Sequence, residues 1–126
     1  MKRVTGLGGI FFKTNDPNKT REWYKAHLGI ESESWGAQFN SRDYDNPEKT
    51  GYSVWSPFKS NTTYFEPSEK PFMINYKVEN LTELIKALKN EGIEIIGEMV
   101  DGEFGKFAWI MDPDGNKLEL WEPPKD

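Results

Sequence analysis

Residues 11–32, FFKTNDPNKTREWYKAHLGIES, and residues 75–96, NYKVENLTELIKALKNEGIEII, follow one plan. Each runs from a strand with a central lysine, through a polar cap, into a helix that ends at Gly-Ile before a further strand. Lys13 aligns with Lys77 and Asp16 with Asn80, 64 residues apart; Gly29-Ile30 aligns with Gly92-Ile93, 63 apart. Two copies of one unit confine the chain to folds with internal pseudo-symmetry. Neither copy is long enough to bury a core alone, so the two must share one.

Local chemistry supports both helices. Asp16 is suited to N-cap the first, with Pro17 at N1, where a missing N–H costs nothing. Asn80 caps the second, Glu83 completes a capping-box pattern, and Leu81, Leu84, Ile85 and Leu88 form its apolar stripe up to Gly92 at C′. After each helix come three strand-like runs, at 31–40, 51–56 and 61–66 and again at 93–100, 106–111 and 117–122. TTYFEP (62–67) aligns with LELWEP (118–123), and the first copy's extra length falls in the polar loop NSRDYDNPEK. The expectation is one α+β domain over 1–126, built of two βαβββ modules at about 4–67 and about 71–124.

In the last strand, KLELWEPP, Leu118 and Leu120 share one face and Lys117, Glu119 and Trp121 the other. Pairing back across the turn DPDGN sets Trp109 opposite Glu119 and Phe107 opposite Trp121. Ala108, Ile110, Leu118 and Leu120 then share the helix-facing side. Pro113 and Gly115 make DPDGN a hairpin turn, and the calcium-loop spacing is not met.

Composition narrows the function. The absence of cysteine excludes disulfides and thiolate chemistry and fits a reducing compartment. MKRVTGLGGIFF lacks the apolar run and cleavage site of a signal peptide, so a cytoplasmic location is expected. No run reaches the roughly 18 apolar residues of a membrane span. A net charge of −5 with no basic cluster argues against nucleic acid. Aromatics at 14% serve either a core or an aromatic cavity.

GGIFFKTNDPNKTREWYKAHLGI (8–30) and KFAWIMDPDGNKLELWEPP (106–124) resemble the vicinal oxygen chelate superfamily, which includes glyoxalases, bleomycin-resistance proteins and extradiol dioxygenases. With the repeat, the resemblance spans essentially the whole chain. It implies paired βαβββ modules whose sheets curl into an open cup. It also implies a homodimer, with modules either kept or exchanged. Metal-dependent members hold a divalent ion with His, Glu, His and Glu from the first and last strands of each module. The matching positions here are Gly9, Thr63, Met73 and Glu119. One carboxylate falls short of the about three protein ligands a catalytic zinc needs, and the only histidine, His27, belongs to the first helix. No cofactor is therefore expected; a divalent metal on Glu119 is the alternative. Dioxygenase chemistry is not expected without the histidines.

The strand pattern and repeat assign to the cup Phe107, Trp109, Met111, Lys117, Glu119 and Trp121, then Ser53, Trp55, Asn61, Thr63 and Phe65, and from the first strand Leu7, Gly9, Phe11 and Lys13. Met73 joins them at its family position. The candidate pocket is thus Phe11, Trp55, Thr63, Phe65, Met73, Phe107, Trp109, Lys117 and Trp121, with Glu119 the candidate catalytic group. Whether the cup is open or filled stays undecided here. An open one suits a metal-independent binder of an aromatic or cationic small molecule. The rival is a lyase or isomerase related to glyoxalase, using Glu119 as base or metal ligand with Lys13, Lys117 or Tyr64 as second group. A third class is an interaction module with a filled cup.

Overall fold

The computed structural model describes residues 2–125; Met1 and Asp126, the ends of the expected domain, lie outside the described residues. The elements are β1 (Val4–Thr14), α1 (Pro17–Leu28), β2 (Ala37–Arg42), β3 (Thr50–Lys59), β4 (Phe72–Val78), α2 (Leu81–Asn90), β5 (Val100–Gly102), β6 (Gly105–Met111) and β7 (Lys117–Glu122).

The strands form one seven-stranded sheet in the order β2-β3-β1-β4-β7-β6-β5. β1 and β4 run antiparallel at its centre, and each has a strand of its own module parallel beside it, β3 and β7 respectively. Gly9 pairs with Asn75 and Phe11 with Met73. A 64-residue shift exchanges these two pairs, so a pseudo-two-fold axis passes between the central strands. The α+β architecture of a curled open sheet with two helices is the one expected.

Both helices are capped as their sequences dictate. Asp16 accepts from the Lys19 N–H and Asn80 from the Glu83 N–H, each at 3.1 Å. Gly29 closes α1 in the left-handed conformation, its N–H on the Lys25 carbonyl. The Glu83 carboxylate turns to Lys86 instead of closing the capping box; Glu122 accepts from the Leu81 N–H and ties α2 to β7. Leu81 and Leu84 bury fully against Val78, Ala108 and Leu120, each contributing roughly 1.5–3 kcal/mol. By contrast, α1 buries no residue. No helix is long and apolar enough to cross a membrane among the described residues.

Three expected strands are corrected. The run at 31–40 is a strand only from Ala37, after a turn closed between Glu33 and Gly36. Residues 61–66 form successive turns, closed by Thr62 N–H to Lys59 O, Glu66 N–H to Thr63 O and Ser68 N–H to Phe65 O. These local bonds satisfy the backbone, so no ladder forms. Residues 93–100 form β only from Val100, because Gly92 and Gly97 take left-handed φ values of +82° and +70°. The module-one counterpart of β7 is therefore β3, which lies beside β1 as β7 lies beside β4.

Candidate functional site

Glu119 sits on β7 between β4 and β6, opposite Asn75 on one side and Trp109 on the other. The register alone thus delivers two donors to its carboxylate. Asn75 Nδ2 donates to Oε1 at 2.6 Å, and Trp109 Nε1 donates to Oε2 at 2.9 Å. A third, the Tyr64 hydroxyl, donates to Oε2 from the turn after β3. That turn is pinned by Lys117 Nζ, which donates to the Tyr64 carbonyl at 2.7 Å, and by Ser68 Oγ, which donates to Gly115 O at 2.7 Å. Glu119 is 2% exposed and Asn75 1%.

A carboxylate offers about four acceptor sites, and three are filled here. Because Asn75 turns its amide nitrogen to the carboxylate, its Oδ1 faces away, buried and without a partner. Burial first, then the Glu119 charge, holds the Tyr64 phenol well above its ordinary pKa, so it remains a donor. Burial lowers the Lys117 pKa, opposed by the Glu119 and Glu66 charges.

Above this floor lies a cavity of about 520 Å³. Phe11 and Val54 form one wall. Phe107 and Trp121 form another, stacked at 6.0 Å and 4°, with Tyr52 tilted against Trp121 at 5.4 Å. Trp35 and Phe104 stand exposed at the rim. The Trp121 indole donates to Phe104 O at 2.7 Å, which fixes its ring as a wall.

Of the residues expected in the cup, Phe11, Phe107, Glu119 and Trp121 line this cavity. Phe65 and Met73 are fully buried with Phe11 in a cluster that Trp109 packs against, so they support the cavity without lining it. The Lys117 ammonium lies 5.5 Å from the Tyr64 ring centroid and 5.7 Å from that of Trp109. Lys13 lies over Phe65 at 5.7 Å, and Leu7 is exposed. His27 packs tilted against Trp23 on the exposed side of α1.

Trp55 and Ser53 are corrections. Trp55 packs on Phe12 and Tyr24 on the α1 side of the sheet, because β3 presents its even-numbered residues to the cup, and Ser53 shares its parity. Thr63 is another, exposed in the turn after β3, with Asn61 in that same turn. Asn75, Tyr52 and Val54 were not anticipated. The repeat pointed to Asn75, as the residue 64 after Phe11; the two β3 residues were hidden by the misplaced strand.

The profile of the Glyoxalase/Bleomycin resistance protein/Dioxygenase superfamily matches residues 6–120. The chain belongs to this superfamily. Comparison with curated protein sequences finds no match. Among solved structures, a Streptomyces coelicolor methylmalonyl-CoA epimerase variant in complex with 2-nitronate-propionyl-CoA is similar at a TM-score of 0.71 and 15% identity, over 97% of this chain and 99% of that one. The Mycobacterium tuberculosis methylmalonyl-CoA epimerase gives 0.63 and 17%, over 99% and 92%. A catechol 2,3-dioxygenase gives 0.59 and 18%, over 99% of this chain but 41% of that one. Identities this low speak to the fold alone.

The superfamily's metal positions can be tested against this cup. A Cβ at Gly9 would lie 2.3 Å from the Val54 carbonyl oxygen, and one at Gly8 would lie 1.9 Å from Asn75 Oδ1; neither glycine leaves room for a ligand side chain. Met73 is sealed in the core. By topology the module-one counterpart of Glu119 is Ser56, which pairs with Phe11 as Glu119 pairs with Asn75, and its hydroxyl is donated to the Trp35 carbonyl. Glu119 itself is occupied by three protein donors. This donor set does not fit a divalent metal.

Proposed function

We propose that this superfamily member is a metal-independent small-molecule binding protein whose cup takes a flat aromatic or cationic ligand. The observation that carries the reading is the state of Glu119. Its carboxylate closes the floor of an open aromatic cavity while held by Asn75, Tyr64 and Trp109. With both carboxylate oxygens already engaged by protein donors, Glu119 is poorly placed to take a proton from a substrate, which argues against the lyase or isomerase alternative. One acceptor site on the carboxylate remains for a ligand donor. The aromatic walls supply stacking and cation–π attraction to the rest of the molecule.

The test is tryptophan-fluorescence titration with N-methylquinolinium and its uncharged isostere 1-methylnaphthalene. The cation is expected to bind about 3- to 10-fold more tightly, and Glu119→Gln to remove that preference. Equal affinities in the wild-type protein would overturn the cationic half of the reading, and no quenching by either would sink it whole.

A further inference from the structure

Beside the cup lies a second cavity of about 650 Å³, and the two share Gln38, Tyr52 and Trp121 as wall. The first is almost wholly apolar apart from its floor. The second carries two cations, Arg42 at the end of β2 and Lys77 on β4. Lys77 pairs with Trp121 across the β4–β7 ladder and holds its ammonium 5.7 Å from the Trp121 ring centroid. It also reaches across β1 to β3, where its Nζ would lie 3.4 Å from a Cβ at Gly51. Gly51 pairs with Ser41, and Arg42 with Thr50, so both cations border the same end of the β2–β3 ladder.

Neither cation is ion-paired among the described residues. Arg42 gives one donor to the Pro47 carbonyl at 3.0 Å and keeps the rest of its fork. Burial alone lowers the Lys77 pKa; a half-buried ammonium without a counter-ion gains most from an incoming anion. The charges of the two neighbouring cavities therefore have opposite signs: a carboxylate in the first, two cations unpaired among the described residues in the second, and Trp121 between them.

We propose that the second cavity is an anion subsite continuous with the cup. The full ligand is then a flat molecule with a hydrogen-bond donor at one end, directed at Glu119. At its other end it carries a carboxylate or phosphate, held by Lys77 and Arg42. The two-ended ligand rests on the reading of the cup as a binding site; the anion subsite can be tested separately.

The probes are 6-(aminomethyl)-2-naphthoate and 2-(aminomethyl)naphthalene, which lacks the carboxylate, titrated at low salt against wild-type, Lys77→Met and Arg42→Gln protein. The carboxylate is expected to raise wild-type affinity about tenfold. The ratio between the two probes should fall towards one in Lys77→Met and drop measurably in Arg42→Gln, whose exposed site keeps folding out of question. If the simpler amine binds but the carboxylate adds nothing, or Lys77→Met keeps the tenfold ratio, the subsite is overturned and the cup reading stands. If neither amine binds, the cup reading fails and inorganic phosphate decides the subsite. Phosphate that slows acetylation of Lys77 relative to Lys25 in wild-type protein but not in Arg42→Gln, read by peptide mass spectrometry, supports it. Equal rates with and without phosphate overturn it.

Discussion

At the scale of single residues, the site is governed by hydrogen-bond arithmetic around Glu119. Replacing it with Gln removes the charge and turns an N–H₂ towards groups that are themselves donors. With that nitrogen in the place of Oε1, Asn75 Nδ2 loses its acceptor while Tyr64 OH and Trp109 Nε1 keep theirs. The expected loss is about 1–3 kcal/mol of unfolding free energy in urea, with the m-value unchanged. Tyr64 adds a pH signature. Its phenol titrates higher folded than unfolded, so its contribution is complete below about pH 10, the unfolded value, and is lost as pH rises above it. The stability gap between wild type and Tyr64→Phe should therefore narrow above about pH 10; a constant gap would mean the phenol is not held this way. Glu119 was legible in the sequence because strand alternation and the DPDGN turn give its register. The repeat points to Asn75 through Phe11, but only the parallel pairing of β4 with β7 makes it a neighbour of Glu119, and no local pattern states which strand pairs with which.

At the scale of elements, the caps and the β6–β7 hairpin were readable, and the middle of each module was not. Cap residues act on N–H groups two or three positions away, so sequence carries the whole interaction. Asn80→Ala should accordingly cost about 1 kcal/mol, visible as a lower urea midpoint. Trp109 opposite Glu119 and Phe107 opposite Trp121 followed from one tight turn. The run TTYFEP reads as a strand by composition, yet its backbone is satisfied by turns, and β3 takes the place beside β1. That displacement moved the expected cup face of module one from Tyr52 and Val54 to Ser53 and Trp55. Gly8 illustrates the reverse constraint, a residue chosen by what lies across from it. A Cβ there meets Asn75 Oδ1 and the Trp121 ring, so Gly8→Ala should push Asn75 off Glu119 and destabilise by about 1–3 kcal/mol. Unaltered stability, with the Asn75 side-chain amide resonances unmoved, would show that the strand can yield at this point.

At the scale of the molecule, the repeat was enough to place the pseudo-two-fold axis, because 64 residues relate Gly9 to Met73 and Phe11 to Asn75. What a single chain cannot supply is cover for so open a shape. A compact chain of 14.6 kDa exposes about 6,900 Å² by the usual size scaling, against 8490 Å² here. The excess, 8490 less about 6,900, is roughly 1,600 Å², and a standard interface takes about 800 Å² from each partner. The apolar side chains left exposed include Trp23 and Leu28 on α1, none of whose residues is fully buried, and Trp35 and Phe104 at the cup rim. A homodimer is therefore the expected state, with light scattering giving the mass of two 14.6 kDa chains. Two variants locate its interface. If Leu28→Glu yields the monomer, the partner covers α1 and the cup stays open to ligand; if Phe104→Glu does so, the partner closes over the rim and binding at the cup becomes dependent on protein concentration. A wild-type mass of one chain at every concentration would mean that the open sheet stands alone in water.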